Sequence, residues 1–357
     1  MKILFDCRYT RIGRHDGISR YGASLVSALA KLHPVTMMIS DERQLEMLPN
    51  LAWVKGPSPT AFTEPLAALY VNKFEPDVVF TPMQTMGPWG RKFALVTTVH
   101  DLIYYTNRTP PRDLTWPVKL VWRGYHLWWG FQRGLLNQAD AHLADSETTR
   151  DLMRKHRLTK NPITVVVLGT DSGPTETPRS FPASRSLVYM GSFMPYKNVE
   201  LLARGLHELD DYRLHLMSRI SEADRSLLEA LAPPDSLVFY NGATDAEYQG
   251  VLTEATALVT ASRDEGFGLP LVEAMAVGTP LVVSDIPIFR EIGGEAAGYF
   301  DQDSAEAFAA RVLELELPEE WLRRSNAARA RAALFDWDRS AETLLEVLSS
   351  AFAERGR

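Results

Sequence analysis

The sequence has only one cysteine, Cys7, among its 357 residues. One thiol can form neither an intrachain disulfide nor a thiolate metal cluster, and such scarcity is typical of a reducing cytoplasm. Long hydrophobic runs are lacking too. The first run, residues 3–5, ends at Asp6 and is too short for the core of a signal peptide. No window approaches the roughly 18 apolar residues that cross a bilayer. We therefore expect a cytoplasmic protein.

An excess of positive charge is also missing. The chain has 38 basic and 45 acidic residues, a formal net charge of −7. Because a nucleic-acid partner requires a broad cationic surface, this balance argues against one. The apolar fraction of 45% is ordinary for a globular protein, and the length suits two domains.

What the sequence does contain is two series of short, solidly apolar runs. The first has runs at residues 3–5, 36–39, 78–81, 94–99, 141–144 and 163–168, and the second at 187–190, 213–217, 237–240, 257–260 and 280–283. Runs without period-two alternation indicate strands buried on both faces of a parallel sheet. The sequence predicts an α/β protein with two doubly wound Rossmann-like domains, residues 1–175 and 185–335. The boundary falls in the Ser-, Gly-, Thr- and Pro-rich stretch 171–185. A C-terminal helix within 336–357 is expected to cross back to the first domain.

The most informative motif is DEGFGLPLVEAMAVGTP at residues 264–280. Two glycines allow a tight turn after a strand, a proline suits the first turn of a helix, and a third glycine ends that helix. The free N–H groups at such a helix start form an anion site. Glu265 lies before this loop and Glu273 one turn into the helix. Taken alone, the two would be a solvated carboxylate and a favourable charge for the helix dipole.

The spacing of Glu265 and Glu273, with seven residues between them, resembles the E-x7-E motif of retaining GT-B glycosyltransferases of family 4. The resemblance implies two Rossmann-like domains facing across a cleft, a nucleotide diphosphate sugar as donor, and no metal or other cofactor. It assigns Glu265 to the hydroxyls of the donor sugar and Glu273 to the nucleotide ribose. The loop amides that would face sugar and phosphate belong to Gly266, Phe267, Gly268 and Leu269.

Three N-terminal segments extend this resemblance. GISRY at residues 17–21 looks like the family's glycine loop, in which Gly17 approaches the donor phosphates, although an ordinary strand-to-helix turn is an alternative interpretation. TTVHDL at residues 97–102 resembles the V-H-D-L segment, which places His100 beside the donor sugar. A core or capping histidine is the alternative there. VLGTD at residues 167–171 resembles the end of the family's first domain.

The segment MGSFMPYKN, residues 190–198, resembles the phosphate-binding opening of the second domain, with two departures. Ser192 and Tyr196 stand where family members often carry arginine. Lys197 is then the cation left in this segment to meet the diphosphate. Because a buried diphosphate requires more than one donor, Arg219 is the nearest candidate for a second cation, and a solvated loop arginine is the alternative.

Two further segments contain side chains that could contact a ligand. Asn241, in the YNG of residues 240–242, falls in a segment that in the family lines the base, although a plain loop would have the same composition. DQD at residues 301–303 resembles a D-x-D metal motif. Asp303 precedes an alanine-rich helix with Glu306 three residues later, which is a capping-box pattern, so we predict no metal site there.

Residues 112–134 contain four of the eight tryptophans and four basic residues against one acid, a local charge of 4 − 1 = +3. Read as one helix, the segment places basic and aromatic side chains on neighbouring stripes. A core helix with an exposed basic edge is the simpler interpretation. The alternative is an interfacial helix that contacts the inner face of the cytoplasmic membrane through Lys119, Trp122, Arg123 and Trp129.

The resemblance thus implies a retaining, metal-independent hexosyltransferase in which His100, Lys197 and Glu265 act on the donor. The motifs together resemble GDP-mannose-dependent α-mannosyltransferases of cell-envelope polysaccharide synthesis, with a glycan or lipid-linked acceptor. The alternatives are a UDP-sugar-dependent transferase, a GT-B phosphorylase or epimerase, and a non-catalytic sugar-nucleotide-binding protein.

Overall fold

The computed structural model describes residues 1–110, 116–126, 128–170 and 179–356. The chain forms two compact units: unit 1 comprises Met1–Asp171 and Asp336–Arg357, and unit 2 comprises Ser172–Phe335. Arg112 and Asp113, counted above in the tryptophan-rich segment, lie outside the described residues, as do residues 171–178 of the expected boundary. Within the described residues, no helix is long and apolar enough to cross a membrane.

Unit 1 is built on a seven-stranded parallel sheet. Its strands are β1 (Ile3–Asp6), β2 (Val35–Ile39), β3 (Trp53–Lys55), β4 (Val78–Thr81), β5 (Ala94–Val99), β6 (Ala141–Ala144) and β7 (Ile163–Val165). They lie in the order β3-β2-β1-β4-β5-β6-β7. The order reverses between β1 and β4, and in open α/β sheets the carboxyl ends of the strands at such a switch point form the ligand crevice.

The helices of this half of the chain are α1 (Gly17–Leu32), α2 (Ala67–Val71), α3 (Ile103–Thr106), α4 (Trp116–His126), α5 (Gly130–Leu136) and α6 (Glu147–Lys155). α1 begins where it does because the Asp16 carboxylate accepts a hydrogen bond from the Ser19 amide at 2.9 Å, a side-chain N-cap. The expected glycine loop at residues 17–21 is therefore the first turn of a helix. The left-handed glycine of this region is Gly13, with φ of +76°.

Unit 2 repeats the same architecture with six parallel strands: β8 (Ser186–Tyr189), β9 (Arg213–Leu216), β10 (Leu237–Phe239), β11 (Ala257–Thr260), β12 (Leu281–Ser284) and β13 (Ala297–Phe300). Their order is β10-β9-β8-β11-β12-β13, so the switch point lies between β8 and β11. The helices are α7 (Val199–Gly205), α8 (Glu222–Leu231), α9 (Asp245–Glu254), α10 (Leu269–Ala276), α11 (Pro287–Gly293), α12 (Ala305–Glu314) and α13 (Pro318–Ala332).

The last helix, α14 (Trp337–Arg355), belongs to unit 1 although the whole of unit 2 precedes it in the chain. It packs along α1 and contacts β5. The Ser340 hydroxyl donates to the Val167 carbonyl at 2.7 Å, and Lys31 pairs with Asp338 at 2.6 Å. Gly169 lies so close to Trp337 that a Cβ atom there would come within 2.6 Å of the indole ring. α14 thus completes the packing of unit 1.

The predicted α/β class with two doubly wound parallel sheets is confirmed, and each of the eleven predicted apolar runs overlaps a strand. Two strands, β3 and β13, were missed. β3 has three residues and is largely exposed, so it shows no solid apolar run. β13 reads AGYF, in which a glycine interrupts the apolar pattern.

Candidate active site

Two oppositely charged side chains meet at the switch point of the second sheet. Lys197 follows β8 and Glu265 follows β11, and the Lys197 ammonium is ion-paired with the Glu265 carboxylate. The side chains are 13% and 15% exposed. Because ligands of open α/β sheets bind at the carboxyl ends of the strands beside this point, the pair marks the candidate site of unit 2.

Two serine hydroxyls position Glu265 and its loop. The Ser262 hydroxyl donates to Glu265 Oε1 at 2.9 Å, and Ser262 itself is fully buried. The Ser284 hydroxyl donates to the Ser262 carbonyl at 2.5 Å, which ties this loop to the end of β12. Sequence reasoning missed Ser262, although its place three residues before Glu265 and directly after a strand is a usable signal.

Lys197 ends a short 3₁₀ turn, Pro195–Lys197. The next residue, Asn198, is left-handed with φ of 53°, and its side-chain amide donates to the Gln302 carbonyl at 2.8 Å. The Lys197 ammonium lies 5.3 Å from the centre of the Tyr196 ring, a cation–π contact. Tyr196, noted above as a departure from the family pattern, thus stabilises the lysine charge through its ring, a contact that sequence reasoning missed.

The glycine loop leads into α10 as expected. Gly268 has φ of +93° and is the N-cap of the helix, with Pro270 in the first turn. Phe267 is buried and packs edge-to-face on Phe335, with ring centres 5.9 Å apart. Its side chain therefore supports the loop from within unit 2, so the contact it can offer a ligand is its backbone amide. Glu273 lies half-buried on α10.

Gly266 and Leu269 flank this turn on either side. Gly266 precedes Phe267 in the loop, and Leu269 is the first residue of α10. Both are half-buried. The amides proposed from the family pattern thus span the loop and the start of one helix.

Arg219 and Asn241 follow β9 and β10, so they lie along the same sheet edge as Lys197. Arg219 is exposed, and within the part of the chain that the structure describes it has neither an ion pair nor a side-chain hydrogen bond. Its side chain lies over Gly242, where a Cβ atom would come within 2.8 Å of Arg219 Cγ. Asn241 is left-handed, with φ of 53°, and its Oδ1 accepts from the Ile220 amide at 3.3 Å. Asn241 therefore joins the two loops.

In unit 1, His100 stands at the carboxyl end of β5 and bridges its two neighbours. Its Nδ1 lies 2.6 Å from Asp145 Oδ2, just after β6, and its Nε2 lies 2.6 Å from the Pro82 carbonyl oxygen, just after β4. Burial lowers the pKa of His100, but the Asp145 carboxylate and its hydrogen bond outweigh burial and raise it above the ordinary value. Sequence reasoning missed Asp145, although it directly follows a predicted strand.

Gly17 is exposed at the start of α1, and a Cβ atom there would meet no atom of the protein within 4 Å. Its backbone is not left-handed. Nothing within unit 1 therefore requires glycine at this position.

The DQD segment, residues 301–303, precedes helix α12 as predicted, but a different residue caps that helix. The N-cap of α12 is Ser304, whose hydroxyl accepts from the Ala307 amide at 3.0 Å, so the prediction that Asp303 caps the helix is wrong. Asp303 instead pairs with Arg263 at 2.5 Å. Among the residues the structure describes, no cluster of three His, Cys, Asp or Glu side chains is arranged to hold a metal ion.

In the described part of the tryptophan-rich segment there are two helices, α4 and α5, so the single continuous stripe predicted from its spacing is wrong. Trp122 packs edge-to-face on Tyr104, with ring centres 5.1 Å apart, and Trp129 stacks on Tyr105 at 3.8 Å. These two tryptophans thus pack against their own unit. Among the large hydrophobic side chains that the structure describes in this segment, the most exposed are Trp116, Leu120, Trp128 and Phe131; Arg123 is also exposed, and Lys119 is half-buried.

Comparison with known proteins matches each half of the chain. Residues 15–173 match the model described as Glycosyltransferase Family 4, and residues 177–332 match that of Glycosyl transferases group 1. The O-antigen chain mannosyltransferase RfbU of Salmonella typhimurium is 23% identical over 347 residues, which are 92% of this chain and 95% of that protein.

Two further likenesses extend the comparison. The GDP-mannose:cellobiosyl-diphosphopolyprenol alpha-mannosyltransferase of Xanthomonas campestris is 27% identical over 207 residues, which are 55% of this chain and 54% of that enzyme. The structure of a sucrose-phosphate synthase from Thermosynechococcus elongatus superposes with a TM-score of 0.74 at 20% identity, covering 99% of this chain and 100% of that one.

The two doubly wound parallel sheets and the superposition on the sucrose-phosphate synthase together define the GT-B fold. The chain belongs to the family 4, or group 1, glycosyltransferases, as its motifs predicted. Membership implies a nucleotide sugar as donor and a glycan as acceptor.

Proposed function

We propose that this protein transfers mannose from GDP-mannose to a glycan or lipid-linked glycan, with retention of the anomeric configuration and without a metal ion. The observation that carries the proposal is the Lys197–Glu265 pair at the switch point of unit 2. A sugar diphosphate presents phosphate oxygens and sugar hydroxyls, and a lysine beside a carboxylate matches both.

Cleavage at the anomeric carbon builds positive charge on the sugar ring and negative charge on the departing diphosphate. Lys197 and the amides that lead into α10 are suited to stabilise the diphosphate, with Arg219 as the second cation. Glu265, released from Lys197, holds the hydroxyls of the sugar in place, and Glu273 holds the ribose. Asn241 lines the base, and Gly17 leaves room for the approach of phosphate.

His100 is not placed to act as the base that deprotonates the acceptor. Both ring nitrogens are engaged, one by Asp145 and one by the Pro82 carbonyl. With no other free base assigned, the departing diphosphate oxygen takes the proton of the acceptor hydroxyl on the same face of the sugar. Attack from that face retains the configuration.

Mannose and GDP are supported by two relatives, of which RfbU is named as a mannosyltransferase and the Xanthomonas enzyme as a GDP-mannose-dependent mannosyltransferase. The Xanthomonas enzyme is also an alpha-mannosyltransferase. Because GDP-mannose carries an α-linked sugar, an α-linked product means retention. The acceptor in that relative's name is cellobiosyl-diphosphopolyprenol, which supports a lipid-linked glycan as acceptor here.

A lipid-linked acceptor places the sugar at a bilayer surface, and α4 and α5 offer a contact to the inner face of the cytoplasmic membrane. The side chains suited to it are Trp116 and Leu120 on α4 with Trp128 and Phe131 around the start of α5, because they are exposed. Arg123 adds a positive charge for anionic lipid. These side chains take the place of Trp122 and Trp129 in the proposed membrane contact, because those two tryptophans pack on Tyr104 and Tyr105.

The donor is tested by thermal shift against GDP, UDP, dTDP and ADP, because a ligand of the native state raises stability according to its affinity. GDP should give the largest increase in Tm. A larger shift with UDP would favour the UDP-sugar alternative.

The type of reaction is tested by two incubations. Turnover of GDP-mannose alone would indicate an epimerase, and reaction with inorganic phosphate and an oligosaccharide would indicate a phosphorylase. A protein that binds GDP-mannose yet neither hydrolyses nor transfers it would be a binding protein.

A further inference from the structure

The contacts of His100 define its charge. The Pro82 carbonyl can only accept a hydrogen bond, and so can the Asp145 carboxylate. Both ring nitrogens, each 2.6 Å from its partner, must therefore donate. Only the doubly protonated imidazolium carries two N–H groups. The geometry of unit 1 is that of a charged histidine clamped between two acceptors.

The remaining neighbours agree with this arrangement. The His100 side chain is 19% exposed, and that of Asp145 is 2% exposed, so the carboxylate is shielded from solvent. Tyr21 of α1 stands edge-on to the imidazole, with ring centres 4.9 Å apart, and its own hydroxyl bonds Thr98 at 3.2 Å. Among the described residues, Asp145 and Asp101, the latter on the same loop, are the titratable side chains that act on the charge of His100, and Tyr21 contacts its ring.

We propose that Asp145 is a positioning residue that keeps His100 a fixed cation across the ends of β4, β5 and β6, so that His100 serves the transfer reaction as a charge and not as a proton acceptor. The inference rests on the proposed function for the reaction itself. Asp145 fixes the direction of the ring through Nδ1, and the Pro82 carbonyl fixes Nε2.

This arrangement separates two mechanisms that a histidine–carboxylate pair can serve. In a general base, one nitrogen binds the carboxylate and the other is free to take a proton from the nucleophile. Here the second nitrogen already donates to a backbone carbonyl. A base would need that bond broken and the ring deprotonated, and the neighbouring carboxylate opposes the loss of the proton.

The charge is measured directly by NMR of protein labelled with ¹⁵N-histidine, with the His100 signals identified by their loss in His100→Gln. Both His100 nitrogens should carry protons at pH 7 in the wild type. In Asp145→Asn the pKa of His100 should fall by about 1–3 units, because the partner that opposes desolvation is gone. A wild-type His100 that is neutral at pH 7 overturns the proposal, whether or not the variant folds.

The role in the reaction is measured by the pH dependence of kcat/KM, which reports the free enzyme. Activity should decline at alkaline pH as His100 loses its proton, and this decline should begin about 1–3 pH units lower in Asp145→Asn. Asp145→Glu keeps the charge and should restore the midpoint toward that of the wild type. An unmoved midpoint in a folded Asp145→Asn overturns the role.

Thr149→Val is the matched control. Thr149 donates to the His100 carbonyl at 3.3 Å, so this variant removes a hydrogen bond from the same residue without changing any charge. Its alkaline midpoint should equal that of the wild type. Because the NMR titration requires no donor, an incorrect donor assignment would silence the rate assay and leave the charge measurement intact.

Discussion

Lys197 and Glu265 neutralise one another at the carboxyl edge of the second sheet, each nearly withdrawn from solvent. In this state Lys197, which is assigned to the diphosphate, is paired with Glu265, which is assigned to the sugar. Neither side chain can make its assigned contact until the pair separates. Binding a donor therefore exchanges one ion pair for two separate contacts. The two residues should consequently respond differently to substitution.

Glu265→Gln should retain or increase affinity for free GDP while reducing turnover. The change removes the competitor for the Lys197 charge but also a clamp on the sugar. Lys197→Ala should weaken GDP binding by about 10–150-fold, as expected for loss of a charge-assisted hydrogen bond worth about 1.5–3 kcal/mol. Calorimetric titration with GDP and a transfer assay check both variants. A fall in GDP affinity with Glu265→Gln would mean that the carboxylate assists the diphosphate site.

Glu273→Gln should weaken GDP and GDP-mannose equally. A carboxylate that accepts from the ribose hydroxyls acts on the part that both ligands share, and its loss should be worth about 1.5–3 kcal/mol. Titration of the two ligands against the same folded variant gives the comparison. Unchanged affinity for GDP would falsify the ribose assignment.

Arg219→Ala should impair transfer and lower affinity for the diphosphate. Its guanidinium is exposed and unpaired within the described residues, so it is available to a ligand at the sheet edge. Arg204→Ala on α7 is a matched control, since Arg204 is likewise exposed and unpaired there. If the two variants had equal kinetics, Arg219 would not be the second cation of the diphosphate site.

Stability should depend on the pH through His142, which is fully buried on β6 beside Thr97 at 2.8 Å. Burial lowers the pKa of His142 from 6.5 to about 4. Below pH 6.5 His142 is therefore protonated in the unfolded chain, whereas in the folded chain it stays neutral down to about pH 4. The free energy of unfolding should decline over this interval by about 3 kcal/mol. Urea unfolding at pH 7 and pH 4.5 should show a smaller decline in His142→Gln, and identical declines would contradict the assignment.

Vesicles that contain anionic lipid should bind the wild type at low salt and release it at high salt, because part of the attraction is electrostatic. Trp116→Ser/Trp128→Ser should reduce this binding, since both indoles are exposed and suited to the headgroup region. Trp53→Ser is the control for removing an exposed tryptophan elsewhere in unit 1. Wild-type protein that ignores such vesicles at low salt would exclude this contact.

The fold could be predicted largely from apolar runs because buried parallel strands carry a continuous signal. The short edge strand β3 and the glycine-containing β13 carry no such signal. Helix periodicity fits one long helix through the tryptophan-rich segment and does not show that α4 ends at His126 and α5 begins at Gly130. The exposed faces of α4 and α5 therefore differed from the predicted stripes.

The candidate site was predictable where residues are neighbours in sequence, and not where strand order brings them together. The resemblance brought Glu265 and Lys197 to attention, but their ion pair depends on the adjacency of β8 and β11. Asp145 is 45 residues from His100 and reaches it because β5 pairs with β6. Such contacts follow from topology, which spacing along the chain does not encode.

The return of α14 to unit 1 has a consequence for biosynthesis. All residues of unit 2 have been translated once Phe335 has been added, whereas unit 1 lacks a helix until the chain reaches Arg355. Domains generally fold as units while the ribosome extends the chain. The unit that begins first is therefore the one completed last, and the face of α1 that packs on α14 stays uncovered while unit 2 is translated. A nascent chain arrested at Phe335 would expose that surface to chaperones.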